Sequence, residues 1–416
     1  MNAIDRLFSF LLCATTAMLW LLASAYAQSK DTKLCAILAG GFGPNISMQI
    51  TAADKLHQMV ESKIYAACLQ TRRKQGASRM TAPGHPGTNT TNADTFVAFD
   101  VPGSSSTNPT AINNPGAITG YFADAGSDIH SFLRTSDDTI TPFDPPGTTC
   151  NSTDSFCSLA VGITPDGTIV GETIQVHQIH GYLRAPNGAF TLFDPPLSNF
   201  TNPLAIKPDG TVTGNFVSST GGAGSQHGFL RAPNGTFTMF DPLGSTSAAP
   251  TAINPAGTVT GSFVDVRGVP HGFLRTSDGT ITTFDASPNS PETDVAGINP
   301  AGTIVGDFFF LPDLSEHGFL RAPNGTITMF DPPGSGLTIP TAINPAGAIV
   351  GLFFTPDFSA EHGFLRAPNG TITVFDPPGS ALTRPTAINP AGTVTGWFTS
   401  DFLVIHGFVG RPKNMH

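Results

Sequence analysis

The sequence predicts an all-β protein, and three observations support this prediction. Only 12% of the 416 residues are charged, whereas Gly and Pro occur 45 and 36 times. Frequent turn-forming residues favour many short strands over long helices. Hydrophobic residues make up 39% of the chain and include 32 Phe, enough for a packed core. One pattern of roughly 45 residues also recurs along most of the chain, which indicates one supersecondary unit per repeat.

The first 27 residues have the pattern of a secretory signal peptide. Arg6 lies in a short polar start, an apolar run extends from Leu7 to Leu22, and small residues stand at Ala25 and Ala27. This order is typical of a cleaved export signal. We therefore expect residues 1–27 to be removed and the protein to be secreted, periplasmic or held at the cell surface, without stable membrane insertion. An uncleaved anchor is the alternative, because the run is only slightly shorter than a bilayer span.

Residues 28–76 predict a short N-terminal segment with one amphipathic helix. Between Thr51 and Arg73, apolar residues recur every three to four positions, at Leu56, Met59, Val60, Ile64, Ala67 and Cys68. The helix would pack on the main body or serve oligomerisation or envelope attachment. Residues 77–94 form a Gly-, Pro-, Thr- and Asn-rich linker. Residues 95–416 hold 11 Lys and Arg against 25 Asp and Glu, so we expect no nucleic-acid partner.

The cysteines predict disulfides. Cys13 leaves with the signal, and an even number remains in an exported chain: Cys35, Cys68, Cys150 and Cys157. Cys150 and Cys157 would close a short loop and are the safer pair. Cys35 with Cys68 is the default for the other two, although free thiols remain open. No Cys-x-x-Cys motif occurs, so a zinc ribbon or a thioredoxin-like site is not supported.

The repeat is marked by a segment similar to His-Gly-Phe-Leu-Arg. It occurs seven times at intervals of 44 to 50 residues, beginning at His130, His180, His227, His271, His317, His362 and His406. Each repeat predicts four short strands, which in the sixth are Thr341–Asn344, Ala348–Phe354, His362–Arg366 and Thr371–Asp376. Four-stranded units of this length are typical of β-propeller blades.

The ends of the repeat predict a closed ring. The Phe-Asp motif of the fourth strand also occurs seven times, but its first copy, Phe99-Asp100, precedes the first His segment and none follows His406. We therefore expect Thr95–Asp100 to complete the last blade and to close a seven-bladed propeller over residues 95–410, followed by a tail at 411–416. A closed ring leaves no free sheet edge. An open solenoid is the competing architecture, but it would not explain the displaced strand.

The repeat resembles the HAF-type extracellular repeat family of bacteria. The similarity lies in His-Gly-Phe-Leu-Arg, Phe-Asp-Pro-Pro-Gly and Ala-Ile-Asn-x-x-Gly-x-x-x-Gly, and it covers residues 95–410. Most copies here have Gly where the family name implies Ala. The resemblance implies an exported repeat protein and carries no catalytic residues over. In period the repeat is also similar to WD40 and kelch propellers, without their Trp-Asp or double-Gly signatures.

The recurring His and Asp are interpreted as scaffold. They are 14 residues apart in six copies, as in the pairs His130 with Asp144 and His362 with Asp376. Across a hairpin this spacing places the side chains opposite each other, so we expect a hydrogen bond. Ring closure would add His406 with Asp100. Catalytic dyads or metal ligands are not expected, because chemistry needs one unique constellation. The Arg that follows most of these His is expected to pack between blades and to pair locally.

Functional residues are expected where the repeats differ. A turn glycine and a second glycine four residues later occur in every copy, but the next residue varies: Tyr121, Glu172, Asn215, Ser262, Asp307, Leu352 and Trp397. Nearby loops add Asp313, Glu316, Asp357, Glu361 and Asp401, with exposed-looking Phe309, Phe310, Phe358 and Phe402. Loops on a rigid scaffold commonly carry recognition. Aromatic and acidic residues suit a sugar or a cationic partner, while solvated loop residues are the simpler interpretation of any single one.

We therefore predict an exported binding or interaction module that takes a glycan or protein ligand through this variable face. One alternative is a propeller hydrolase or lyase acting on polysaccharide or lactone, which a unique carboxylate cluster at the channel mouth would favour. A structural envelope protein is the other. The sequence lacks the motifs of serine hydrolases, zinc proteases, phosphate-binding loops and EF-hands. Binding is therefore preferred to catalysis, and no catalytic residue, metal or cofactor is predicted.

Overall fold

The computed structural model describes residues 95–150, 156–176, 178–218, 226–288, 290–313, 315–357, 359–401 and 404–412. The chain divides into two compact parts, Met1–Gly87 and Thr88–His416, and every described residue belongs to the second part. The expected signal peptide (1–27), helical segment (28–76) and linker (77–94), with Cys35 and Cys68, therefore lie outside the described residues. A search of the described residues for helices that could cross a membrane found none.

The described residues form 28 strands and no helix, which confirms the all-β prediction. In chain order the strands are β1 (Thr95–Phe99), β2 (Ser106–Ile112), β3 (Ile118–Ala123), β4 (Ile129–Arg134), β5 (Ile140–Phe143), β6 (Ser158–Ile163), β7 (Ile169–Gln175), β8 (Gln178–Arg184), β9 (Phe190–Phe193), β10 (Ser198–Ile206), β11 (Val212–Ser218), β12 (Gln226–Arg231), β13 (Phe237–Phe240) and β14 (Ser245–Ile253). They continue with β15 (Val259–Asp265), β16 (Pro270–Arg275), β17 (Ile281–Phe284), β18 (Thr293–Ile298), β19 (Ile304–Phe310), β20 (Ser315–Arg321), β21 (Ile327–Phe330), β22 (Leu337–Ile343), β23 (Ile349–Phe354), β24 (Glu361–Arg366), β25 (Ile372–Phe375), β26 (Leu382–Ile388), β27 (Val394–Thr399) and β28 (His406–Arg411).

Antiparallel pairing joins these strands in consecutive sets of four, which we number as units. Unit one contains β2 to β5, and the following units continue in fours to β25, the last strand of unit six. The seventh set contains β26, β27, β28 and β1. β1 pairs with β28 from Thr95 opposite Arg411 to Phe99 opposite Gly407, as the displaced Phe-Asp motif predicts. The strand runs to Arg411, one residue beyond the predicted boundary.

In four units a threonine of the first strand forms a hydrogen bond to the first strand of the next unit. In unit six, the pairing of β22 with β23 slips by one residue between Pro340 and Ala342. Thr341 lies in this bulge, and its hydroxyl donates to the carbonyl of Pro385 in unit seven at 2.8 Å. The same contact connects unit seven to unit one, where Thr386 donates to Pro109 at 2.8 Å across 277 positions of sequence. The bulge therefore turns a threonine hydroxyl toward the neighbouring unit.

The turn glycine and the second glycine four residues later serve different purposes, as unit six illustrates. Gly347 has a φ of +88°, which other residues adopt with strain, and it closes the turn between the first two strands. Gly351 has an ordinary φ, but a Cβ there would lie 2.3 Å from the carbonyl oxygen of Ile339 and 2.8 Å from the ring of Phe364. The second glycine is thus required by the close approach of the strands, and a side chain follows only at the next position.

The core consists of aromatic side chains from the third strand of every unit. The aromatic residue two positions after the repeated His is completely buried in all seven, at Phe132, Tyr182, Phe229, Phe273, Phe319, Phe364 and Phe408. The fourth strands are less buried than the third. Leu192, Met239, Met329 and Val374 lie in these strands and are 39% to 53% exposed. The fourth strand is therefore the outer edge of its unit, where one face meets solvent.

One strand boundary departs from the prediction. The first strand of unit six was expected to begin at Thr341, but it begins at Leu337. Pro340 lies inside this strand, and a proline inside an apolar run ordinarily argues against a strand. Here Pro340 precedes the bulge. The extra residues extend the first strand into the region where the units differ.

Candidate functional site

The candidate site lies at one end of the units, where the second strand finishes and the first strand begins. We call the residues after the second glycine the variable row: Tyr121, Glu172, Asn215, Ser262, Asp307, Leu352 and Trp397. Directly opposite them on the first strands is the inner row, which contains Asn108, Leu159, Asn202, Ala249, Asp294, Ile339 and Arg384. Paired residues project from the same side of a sheet. The two rows together therefore vary the chemistry of one surface from unit to unit.

Several residues of the variable row are more enclosed than a surface loop would be. Tyr121 and Glu172 are each 8% exposed and Asn215 is 1% exposed, whereas Asp307 and Trp397 are half-buried. These side chains stand in strands rather than in loops, and the adjacent unit covers them. The exposed carboxylates of the loops are Asp313, Asp357 and Asp401. Phe309 and Phe310 are half-buried, which corrects the expectation of exposure, and Phe358 and Phe402 lie outside the described residues.

Unit five carries an acidic cluster that the other six units lack among the described residues. Asp294 and Asp307 are cross-strand partners, and Glu316 and Glu292 lie close enough to repel them. Burial, followed by repulsion from Glu316, Asp294 and Glu292, raises the pKa of Asp307 well above its ordinary range. Burial and the same kind of repulsion raise the pKa of Glu316 to about 7. At neutral pH the cluster therefore retains protons and still carries negative charge.

Asp294 is the accessible member of the acidic cluster. It is exposed to water. Surrounding protein atoms nevertheless raise its pKa, and a hydrogen bond from Ser262 of unit four partly opposes this rise. The hydroxyl of Ser262 also accepts from the backbone N–H of Val295, at 3.0 Å. The variable row of one unit thus contacts the first strand of the next. An incoming polar group would meet Asp294 first.

Units six and seven share a buried ion pair beside an aromatic ring. The guanidinium of Arg384 donates through Nε and Nη2 to both carboxylate oxygens of Glu361, at 2.7 and 3.0 Å. Its centre also lies 5.0 Å from the centroid of the Trp397 ring. Burial raises the pKa of Tyr121 in unit one, and the charge of Arg384 opposes that rise. Arg384 therefore fixes both Glu361 and Trp397, so that one ring face is covered by protein.

Unit two and unit three hold polar atoms without a partner. The Oε2 atom of Glu172 and the Nδ2 atom of Asn202 are both buried and form no hydrogen bond. Burial raises the pKa of Glu172 to about 8. In the matching place between units four and five, Ser262 accepts from the N–H of Val295, whereas the equivalent residue of unit three is Pro203, which has no N–H. The missing donor explains why the carboxyl group of Glu172 is unpartnered.

The repeated His and Asp are hydrogen-bonded in every unit. The Nδ1 atom of His130 lies 2.7 Å from Asp144, that of His362 lies 2.7 Å from Asp376, and that of His406 lies 2.9 Å from Asp100. Six of the seven rings also lie close to a phenylalanine of the second strand, as His130 does to Phe122. The seventh, His180, is opposite Thr173. Equivalent pairs around the units tie the third strand to the fourth. They do not distinguish one unit from another.

The repeated Arg packs on an aromatic ring of the preceding unit and has local hydrogen-bond partners in several units. In unit three the guanidinium of Arg231 lies 5.0 Å from the ring centroid of Phe193, which belongs to the fourth strand of the preceding unit. Arg134 does have an acidic neighbour, Asp138. Arg231 and Arg275 donate through Nη1 to the carbonyl of the next residue, at 3.4 and 3.3 Å. The Nε atoms of Arg184, Arg231 and Arg275 are buried without a hydrogen-bond partner. An aromatic ring beside a guanidinium attracts its charge.

The predicted disulfide between Cys150 and Cys157 is confirmed. It closes the connection that leads from unit one to unit two. The backbone N–H of Cys157 donates to the carbonyl of Ile129 at 2.8 Å, and that of Thr149 donates to Ile174 at 3.0 Å. These bonds hold the two cysteines against the end of the His130 strand. A disulfide is compatible with an oxidising compartment.

Sequence reasoning identified part of this site and missed part of it. It named Asp307, Glu316, Glu361, Trp397 and Glu172. The structure brings the first two together and joins the next two through Arg384. Sequence reasoning did not name the inner row, which includes Asp294, Asn202 and Arg384. Their common position, five residues before the residue that opens the first turn, was available as a signal once the seven copies were aligned.

Comparison with solved structures identifies the fold. Virginiamycin B lyase from Staphylococcus aureus is 14% identical over 77% of this chain and 100% of its own, with a TM-score of 0.51. An oligogalacturonate lyase solved with manganese is 9% identical over 77% of this chain and 97% of its own, with a TM-score of 0.50. Puromycin hydrolase is 15% identical with a TM-score of 0.51, but the chain spans only 52% of its length.

These three proteins have propeller folds, and the likeness shows a β-propeller fold for this chain. At such low identities it carries no information about ligand or reaction. No protein-family model matches the sequence. A sequence search of curated proteins also found no match.

Proposed function

We propose that the chain is an exported, closed, seven-bladed propeller that binds a carbohydrate at the end formed by the variable and inner rows. The contact from Thr386 to Pro109 supports closure, because it repeats the internal contact from Thr341 to Pro385 at the same 2.8 Å. The signal pattern of residues 1–27 and the disulfide between Cys150 and Cys157 support export.

The observation that carries the binding proposal is the concentration of unmatched polar groups at this end. The Oε2 atom of Glu172 and the Nδ2 atom of Asn202 are buried without hydrogen-bond partners, and Asp294 and Asp307 face each other within one negative cluster. Burying polar atoms without hydrogen bonds costs folding free energy. A ligand that supplies both donors and acceptors would offset that cost. Sugar hydroxyls do both, and each can donate to a carboxylate while accepting from an amide.

A protein ligand with basic residues is the other partner that these acids suit. The exposed loop carboxylates Asp313, Asp357 and Asp401 would extend the negative surface for such a partner. The carbohydrate is preferred, because the unpartnered Glu172 and Asn202 are enclosed. A hydroxyl group fits an enclosed polar recess better than a long charged side chain. The test below examines oligosaccharides and a basic peptide separately.

One observation favours the second function, a hydrolase or lyase acting on polysaccharide or lactone. The acidic cluster of Asp294, Asp307 and Glu316 is confined to unit five, and it combines accessible and buried carboxyl groups. The pKa of Glu316 is about 7, so that it can donate or accept a proton near neutral pH. Neighbouring carboxyl groups whose environments separate their pKa values are an arrangement that acid–base catalysis uses. Catalysis would therefore depend on the same residues as binding.

A thermal-shift screen of the full-length chain tests the proposal. The panel contains neutral, acidic and basic oligosaccharides and a basic peptide, each with calcium and with chelator. A ligand at a hundred times its Kd adds about 2.7 kcal/mol to the native state. We expect an oligosaccharide to stabilise the chain, with the effect lost in Asp307→Asn and kept in His180→Ala, which changes only a repeated pair.

Two results would contradict carbohydrate binding at this end: stabilisation by the peptide alone, or a glycan effect that Asp307→Asn leaves intact. Analysis of the sugars after incubation separates the two functions. If the wild type yields shortened or unsaturated sugars and Asp307→Asn does not, the protein is a hydrolase or lyase and the binding proposal is replaced. Mass determination of the secreted chain tests export, since cleavage after Ala27 leaves Gln28 at the N-terminus.

A further inference from the structure

The first repeated histidine has neighbours that the other six lack. Among the described residues, His130, Cys150 and Cys157 form the one group of metal-binding side chains whose ligand atoms all lie within 4.8 Å of one another. His180 occupies the same place in unit two and has its own Asp partner, Asp194, at 2.7 Å. In the described part of the chain no cysteine joins it in such a group. A constellation that occurs once within a repeated scaffold is not required by the scaffold.

Backbone contacts hold this group in place. The N–H of Cys157 donates to the carbonyl of Ile129, the residue just before His130, at 2.8 Å. The side chain of Thr173 also donates to the carbonyl of Cys157, at 2.9 Å. Cys157 is completely buried, whereas Cys150 is exposed. One sulfur is therefore fixed in the protein, and the other is accessible to a reagent in solution.

The histidine is oriented for coordination through its outer nitrogen. Its Nδ1 atom is hydrogen-bonded to Asp144 at 2.7 Å, which leaves Nε2 available. Metal-binding histidines commonly have a carboxylate on the other ring nitrogen, which fixes the tautomer and the ring orientation. The Oδ2 atom of Asp124 lies 3.9 Å from Nε2. Asp124 is not in the group whose ligand atoms all lie within 4.8 Å of one another. Two sulfurs and one imidazole nitrogen, with water in the fourth position, suit tetrahedral Zn²⁺.

We propose that reduction of the Cys150–Cys157 disulfide converts this group into a zinc site made by Cys150, Cys157 and His130, with water in the fourth position. An external dithiol gives two electrons and two protons to the disulfide, the S–S bond breaks, and the dithiol becomes a disulfide. Binding of Zn²⁺ then releases the two thiol protons, because thiolates are the ligands. The oxidised chain does not bind the metal. The connection between units one and two is thereby closed by a covalent bond or by a metal, according to the redox state.

The test compares reduced full-length variants. The chain is reduced with a phosphine, which takes an oxygen atom from water, and is then desalted without oxygen. Titration with Co²⁺ reports sulfur coordination through its thiolate charge-transfer absorption, and competition with a coloured chelator gives the Zn²⁺ affinity. We expect one more bound metal in the reduced wild type than in the double variant Cys150→Ser with Cys157→Ser. The other cysteines are common to all variants and cancel in the comparison.

The matched control is the equivalent histidine of unit two. We expect His130→Ala to weaken Zn²⁺ binding at least about tenfold, whereas His180→Ala leaves it unchanged. If His130→Ala does not fold, His130→Gln replaces it, since an amide can keep the hydrogen bond to Asp144. The proposal is overturned if the double cysteine variant binds as much metal as the wild type. It is equally overturned if the variants at His130 and His180 bind Zn²⁺ alike, or if the oxidised chain binds it as well as the reduced chain.

Discussion

Replacing Glu172 by Gln should make the stability of the protein less dependent on pH. Glu172 is 8% exposed, its Oε2 has no partner, and burial alone raises its pKa from 4.5 to about 8. The native state therefore holds the proton more tightly than the unfolded chain does. The contribution of Glu172 to the free energy of unfolding is fully present below pH 4.5 and is lost as the pH rises. The loss levels off above pH 8. Gln has the same shape and does not ionise.

The magnitude follows from the size of the pKa change. Each unit of difference corresponds to about 1.4 kcal/mol, so the wild type should lose about 3 kcal/mol relative to Glu172→Gln between pH 4.5 and pH 7. Relaxation of water and side chains around the charge makes this an upper value. Urea unfolding followed by tryptophan fluorescence at several pH values measures the difference directly.

Asp357 provides the control for this experiment. It is exposed, and hydrogen bonds from Ser359 and Thr355 lower its pKa to about 2. Asp357→Asn should therefore leave the slope between pH 5 and pH 8 unchanged. A constant difference between wild type and Glu172→Gln across this range would refute the reasoning, because it would mean that Glu172 ionises in the native state as it does in the unfolded chain.

Two further predictions concern the contacts between units. Arg384→Met should destabilise the protein by about 3–5 kcal/mol, because it leaves the buried carboxylate of Glu361 unpaired; combining it with Glu361→Gln should restore most of the loss in a urea titration. No recovery in the double variant would contradict the ion-pair account. Thr386→Val and Thr251→Val should each cost about 1 kcal/mol, because their hydroxyls donate at the same 2.8 Å to the next unit. If Thr251→Val lowered the free energy of unfolding and Thr386→Val did not change it, the ring would not be closed.

Features that repeat in the sequence could be predicted well. The spacing of His130 and Asp144 places them on paired strands, and the displaced Phe99-Asp100 motif identified the partner of the last strand. Such predictions succeed because seven copies report one local geometry, and each copy checks the others. The short loop between Cys150 and Cys157 also left few alternatives for pairing.

Features that depend on contact between units were harder to predict. The burial of Glu172 and Asn215 follows from the neighbouring unit, which the local pattern does not contain. Arg384 was missed because its strand continues through Pro385, and a proline ordinarily marks a strand end. The ring that Arg231 packs on could not be named, because Phe193 belongs to a different repeat. Tertiary contacts of this kind become visible only when units are stacked.

The central claim is that recognition lies where the units differ, and calorimetric titration of the best oligosaccharide tests it most directly. The protein panel contains Glu172→Gln, Asp307→Asn and Trp397→Phe from the variable row, with His180→Ala and His227→Ala from the repeated pairs. The account predicts that at least one variable-row variant weakens the Kd tenfold or more, about 1.4 kcal/mol, while the histidine variants bind as the wild type does. Loss of binding in the histidine variants, with the variable-row variants unaffected, would contradict it.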